Sequence, residues 1–124
     1  ADYRQLLEME SLSLIITDIA WGGGVSEARK MAAMADAWHV PVAFHDCTGP
    51  VVLAASTHLA LNTHNCFIQE MVRAFYYGWY GDLVTQLPPV TKGEISPPEG
   101  AGHGLSLQPD ILKRTDCHIR RSEL

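Results

Sequence analysis

Thr17-Asp18-Ile19-Ala20-Trp21-Gly22-Gly23-Gly24-Val25-Ser26-Glu27-Ala28 decides how this chain is read. An apolar run ends in a carboxylate, a glycine-rich turn follows, and a helix opens. The design recurs twice with a different polar residue at the end of the run. Val40-Pro41-Val42-Ala43-Phe44 ends in His45, and Cys66-Phe67-Ile68-Gln69 ends in Glu70. Asp18, His45 and Glu70 are thus spaced by 27 and 25 residues. A closed barrel of eight strand–helix units uses about 31 residues per unit, fewer when its loops are short, and keeps its chemistry at the C-terminal ends of its strands.

Outward from that stretch, local signals place the elements. Asp2 caps a short helix carrying Tyr3, Leu6 and Leu7 at helical spacing. Leu12 to Ile16 reads as a strand buried on both faces. Ser26 is the expected N-cap of a helix whose apolar face is Ala28, Met31, Ala32, Ala35 and Trp38. Val40 to Phe44 is the second strand, with Pro41 near its start. Thr48-Gly49-Pro50 opens a second long helix, since proline suits the first turn. Its body, Val51 to Leu61, is apolar nearly all round and is expected to be buried. Asn62 to Asn65 is a polar turn, and Cys66 to Gln69 is the third strand. Alternating helices and strands with short connections predict parallel strands and right-handed crossovers.

Beyond Glu70 the composition changes. Phe75-Tyr76-Tyr77-Gly78-Trp79-Tyr80 holds five aromatics in six positions, a pattern of core or interface. Val90 to Ile95 predicts a hairpin turning at Lys92-Gly93. Pro97 to Gly104 is loop, and Arg120 to Leu124 carries no periodicity. Two regions result: residues 1–70, the strand–helix units, and residues 71–124, a tail that needs something to pack on.

Bulk properties narrow the class. The 124 residues, 47% hydrophobic, suffice for one real core. A net charge of −5 argues against a nucleic-acid or anionic-membrane surface. Apolar runs fall short of the roughly 20 residues that span a bilayer. Cys47, Cys66 and Cys117 are an odd set without a CxxC pair, which predicts free thiols and a cytoplasmic, reducing setting. The chain starts at Ala1, without an initiator methionine, directly in helical pattern; this predicts a start inside a domain.

The combination of Asp18 to Lys30, Pro41 to Pro50 and Ile68 to Glu70 resembles the enolase superfamily. Within it the match is to the mandelate racemase branch, and most of all to sugar-acid dehydratases of the galactonate dehydratase type. Pro97 to Asp110 resembles that branch's proline- and glycine-rich closing motif. Phe44 stands where proline precedes the histidine in close relatives, and Ala101 and His103 depart from the motif's usual Gly-Pro-Gly-Leu-Gly. The resemblance implies an α/β fold: the C-terminal part, about three βα units, of a modified TIM barrel, plus a tail that would pack on a capping domain. By position, His45 is implied as general acid/base, Asp18 as its orienting partner and Glu70 as a hydrogen-bonding group at the substrate carboxylate or enediolate. The family's Mg2+ is implied to sit on carboxylates of three earlier strands, so this chain is expected to hold no metal and to be inactive alone. The implied substrate is an acidic sugar or hydroxy acid. The implied reaction is proton abstraction alpha to a carboxylate followed by loss of the beta-hydroxyl, with a racemase or epimerase as the near alternative.

Elementary chemistry supports those roles independently. An imidazole exchanges protons near neutral pH, and a carboxylate on its other nitrogen sets the tautomer and raises its basicity. Alone, His45 reads as a core histidine, Asp18 as a cap on the glycine turn and Glu70 as a solvated strand end; together at three strand ends they favour a site. A rival from another class is a dinucleotide-binding βαβ module, using Gly22-Gly23-Gly24 with Asp46, 22 residues on, as the ribose acid. Against it, Glu27 occupies the place of the third glycine, and Asp18 would set a negative charge beside the pyrophosphate. A non-catalytic oligomerising fragment is the other rival. An open parallel sheet leaves unpaired edges, which predicts a homo-oligomer.

Overall fold

Three short parallel strands hold the molecule in order, each backed by a helix. The computed structural model describes residues 2–123. Ala1 and Leu124, with the expectations attached to the first residue and the last of the aperiodic tail, lie outside the described residues. Helix α1 (Asp2–Glu8) leads into β1 (Ile15–Thr17), α2 (Val25–Ala37), β2 (Val42–Phe44), α3 (Pro50–Leu61) and β3 (Cys66–Gln69). The sheet order is β1-β2-β3, parallel throughout. The register pairs Ile15, Ile16 and Thr17 with Val42, Ala43 and Phe44. Between β2 and β3 the register shifts after Val42, so that Phe67 is left as an extra residue.

Helix α2 buries Ala28, Met31, Ala32 and Ala35, the stripe expected from 3.6-residue periodicity. Two boundary expectations are corrected. Ser26 lies inside the helix, and the N-cap is Gly24, whose φ of 89° lets the chain enter the helix directly from the glycine turn. Trp38 is the C-cap, 40% exposed, because His39 adopts φ 56° and ends the helix. The amides of His39 and Val40 donate to Asp36 O and Ala35 O, closing it as a left-handed C-terminal cap does. At α3 the sequence reading holds for the start, with Pro50 in the first turn. Its burial is one-sided, however: Leu53 and Ala54 are inaccessible while Leu61 is 63% exposed.

The first strand is shorter than Leu12 to Ile16 suggests, and its burial differs. It spans Ile15–Thr17, and Ile16 is 52% exposed while both neighbours are buried. The helices cover one face of the sheet, where Ile15, Val42 and Phe44 join Leu7, Met31 and Leu59 in the main core. On the other face Ile16, Ala43 and Ile68 share a row across the strands. Ile68 and Phe67 are 51% and 73% exposed. Parallel sheets are ordinarily covered on both faces; here Ile16 and Ile68 stand exposed on the second.

The remaining chain packs against α3 and the end of β2. Helix α4 (Arg73–Tyr76) leads into a single 3-10 turn, Tyr80–Asp82. Tyr80 is completely buried, edge-on to Trp79 at 4.8 Å, and Tyr76 donates its hydroxyl to Pro88 O at 2.7 Å. Val84 and Leu105 form a second small core with Ala54. The expected hairpin is present as β4 (Val90–Thr91) and β5 (Glu94–Ile95). Lys92 and Gly93 both have positive φ, 53° and 85°, as a two-residue turn between twisted strands requires.

Candidate active site

Parallel pairing delivers the three polar residues to one end of the sheet. Beyond β2 the ladder continues for one more bond on each side. His45 N donates to Thr17 O at 2.8 Å, and Glu70 N donates to Phe44 O at 2.9 Å. Asp18, His45 and Glu70 therefore each stand one step past a strand, at its C-terminal end.

The turn after β1 builds the Asp18 position. Gly22 N donates to the main-chain oxygen of Asp18 at 2.8 Å, and a Cβ on Gly22 would lie 2.9 Å from that oxygen, so the closure needs glycine. The carboxylate is then surrounded by donors. Oδ1 accepts from the amides of Ala20 (2.7 Å) and Trp21 (3.4 Å), and Oδ2 accepts from Thr48 Oγ1 (2.6 Å) and His45 Nδ1 (3.1 Å). Burial pushes the Asp18 carboxyl upward. The hydrogen bonds from Thr48, His45, Ala20 and Trp21 outweigh it and hold the group below its ordinary value. An ionised carboxylate only accepts, so the shared proton belongs to Nδ1 of His45.

The Asp18 side chain is 3% exposed and that of His45 30%, so the imidazole is the accessible member of the pair. Trp21 lies over it, ring centroids 5.7 Å apart. His45 and Glu70 line one shallow depression with Asp46, Met71 and Val72. Of the three residues singled out from the sequence, Asp18 bonds His45 from behind, and Glu70 lines the same depression as His45.

The roles of two neighbours, Thr48 and Asp46, were not read from the sequence. Thr48 reaches back 30 positions to Asp18, and nothing in its local pattern announces this. Asp46, 1% exposed, accepts from the hydroxyl of Tyr80 at 2.9 Å and the amide of Val72 at 3.3 Å. It therefore ties the residue after His45 to the segment after Glu70. Burial raises the Asp46 carboxyl above its ordinary value against the lowering pull of Tyr80 and Val72. Burial, and then the bond to Asp46, raises Tyr80 as well. For Asp46, a charged residue two positions past a strand was the available signal. The dinucleotide alternative finds neither of its elements free: Asp46 is enclosed, and the amides of Gly22 and Gly24 are taken by the main-chain oxygens of Asp18 and Ile19.

Among the described residues, the grouping of His, Cys, Asp or Glu side chains near enough to share a cation is Asp18, His45 and Cys47. Magnesium requires oxygen donors, and this set offers one carboxylate, already holding four donors, beside nitrogen and sulfur. Among the described residues, this grouping does not fit magnesium.

A parallel α/β sheet with polar side chains at the C-terminal ends of its strands is the arrangement of the TIM-barrel class. Within it the chain belongs to the enolase C-terminal domain-like family, whose profile matches residues 1–111. It is 34% identical over 110 residues to a D-xylonate dehydratase of Haloferax volcanii, covering 89% of this chain and 26% of that protein. A D-galactonate dehydratase of Xanthomonas euvesicatoria is 29% identical over 122 residues, covering 93% of this chain and 31% of that protein. Among solved structures, a mandelate racemase subgroup enolase from Agrobacterium tumefaciens superposes with a TM-score of 0.84 at 59% identity, covering 90% of this chain and 30% of that one. An enolase from the Sargasso Sea environmental genome gives 0.84 at 38% identity, covering 92% and 30%. The chain spans under a third of the length of these relatives. No helix among the described residues is long and apolar enough to cross a membrane.

Proposed function

We propose that this chain is the C-terminal segment of a metal-dependent sugar-acid dehydratase, in which His45 moves the proton, Asp18 orients it and Glu70 hydrogen-bonds the substrate. The observation that carries the reading is the contact of His45 Nδ1 with the buried Asp18 carboxylate at 3.1 Å. The dehydratases among its relatives support the reaction class. With Nδ1–H directed at Asp18, Nε2 is the ring nitrogen left for substrate. As base, Nε2 takes the proton alpha to a carboxylate, and the imidazolium formed is stabilised by Asp18. As acid, the imidazolium returns an Nε2 proton to the beta-hydroxyl, which departs as water. Glu70, in the same depression, is placed to hydrogen-bond the substrate carboxylate or the enediolate.

The Mg2+ expected for this chemistry belongs to residues outside this chain, and none of these steps passes through it. We propose accordingly that the 124-residue chain alone does not turn over sugar acids. Residues 1–70 form the barrel units and residues 71–124 a tail that packs on a capping region. In a complete enzyme, His45→Asn is expected to lower dehydration by about 10²- to 10⁴-fold while metal affinity is unchanged. Retained dehydration overturns the assignment. Exchange of the alpha proton with solvent deuterium without loss of water would instead identify a racemase or epimerase.

A further inference from the structure

Three side chains of different donor type converge at the C-terminal ends of β1 and β2. Cys47 Sγ lies 3.9 Å from His45 Nδ1, which lies 3.1 Å from Asp18 Oδ2. All three donor atoms fall within 4.8 Å of one another. A tetrahedral zinc-type ion holds thiolate at about 2.3 Å and imidazole nitrogen at about 2.0 Å, which sets those donors roughly 3.6 Å apart. Carboxylate oxygen and imidazole nitrogen on such an ion stand roughly 3.3 Å apart. The observed separations differ from both by a few tenths of an ångström, within reach of small side-chain rotations. The carboxylate is already fixed by the amides of Ala20 and Trp21 on its other oxygen. Oδ2 faces His45 Nδ1 and also accepts from Thr48 Oγ1 at 2.6 Å, a bond that orients it without occupying all its lone pairs.

We propose that Asp18, His45 and Cys47 form a binding site for a thiophilic divalent cation such as zinc or cadmium. Thiolate and imidazole select such ions, and they select against magnesium, which takes oxygen donors. The protons balance simply. Cys47 releases its thiol proton to solvent, and the imidazole moves its own proton from Nδ1 to Nε2 as Nδ1 turns its lone pair to the ion. Thiolate and carboxylate together neutralise the divalent charge, and water completes the fourth position.

The regulatory consequence rests on the role proposed above for His45. An imidazole bound through Nδ1 and protonated at Nε2 accepts no further proton, so a soft cation blocks the base. Binding itself needs no turnover, and the two ideas therefore fail separately. Cadmium bound by a chain whose complete enzyme tolerates His45→Asn removes only the catalytic reading. Loss of activity in that variant, without cadmium binding here, removes only the cation site.

The test titrates the 124-residue chain with cadmium chloride and follows thiolate-to-cadmium ultraviolet absorption. Cys66 and Cys117 are also free thiols, so the titration is repeated in a Cys66→Ser/Cys117→Ser background. One ion per chain is expected, with the absorption abolished by Cys47→Ser and the affinity lowered at least about tenfold by His45→Gln. About a hundredfold excess of Mg2+ is expected to leave the signal unchanged. Unaltered affinity in His45→Gln means capture by the thiol alone and overturns the proposal, as does displacement by Mg2+. Cadmium NMR of the unsubstituted chain gives a readout independent of any variant's folding. Coupling to His45 Nδ1 supports the site, and its absence refutes it.

Discussion

Asp18 and Asp46 stand at adjacent strand ends, both enclosed, with opposite dependence on pH. The Asp18 carboxyl is held below 3.8, so the folded chain binds this proton less readily than the unfolded one. Its stabilising contribution is complete above that ordinary value and is lost as pH falls through the lower folded value. Asp18→Asn should therefore remove part of the acid sensitivity, which urea unfolding at a series of acid pH values measures. Asp46 has the reverse sign. Its proton is held more tightly in the folded chain, so stability falls as pH rises through its raised folded value. Tyr80→Phe removes one of the two donors to this buried carboxylate and should cost about 1–3 kcal/mol, visible as a lower thermal midpoint. An unchanged midpoint would show that water replaces the hydroxyl. Chemical types at residues 18, 45 and 70 were readable because each ends an apolar run. Thr48 and Tyr80 were not, since their partners lie 30 and 34 positions away.

Between strand and helix, Gly22 and Gly24 divide their work. Gly22 is needed for space, with Asp18 O 2.9 Å and Thr17 Oγ1 3.2 Å from where a Cβ would stand. Gly24 has nothing within 4 Å of such an atom but a φ of +89°. Gly22→Ala should open the turn, at about 1–3 kcal/mol, and disturb the His45 Nδ1–H resonance in NMR as Asp18 shifts. Gly24→Ala should cost about 1–2 kcal/mol and leave that resonance in place. Equal effects on the resonance would contradict this division. Periodicity made the buried face of α2 legible, and Pro50 and the Lys92-Gly93 turn were legible from local backbone preference. The ends of β1 and the cap of α2 were not. Leu12 packs against the core from outside the strand, and at α2 a glycine with positive φ and no side-chain cap bond holds the N-cap position that serine fills at many helices.

For the molecule as a whole, the uncovered sheet face dominates. Ile16, Phe67 and Ile68 present apolar surface, and β1 and β3 are both edge strands. Such a face and such edges favour association, so the isolated chain is expected to self-associate. Ile68→Lys should shift it toward monomer in sedimentation velocity without lowering its helix content, because the side chain lies outside the helix-covered core. Unchanged association in Ile68→Lys would place the contact elsewhere, on the exposed aromatics Tyr77 and Trp79.

By itself the sequence determined the alternation of helices and parallel strands, the order of the units, and which polar residues end the strands. Those properties follow from short-range periodicity and from the small set of turns that can join such elements. Tertiary structure alone decided that Asp18 accepts four hydrogen bonds and that Asp46 locks onto Tyr80. It also decided that Cys47 stands close enough to His45 to share an ion. These depend on strand register and on how a distant tail folds back. Local preference cannot encode distances between atoms that only packing brings together.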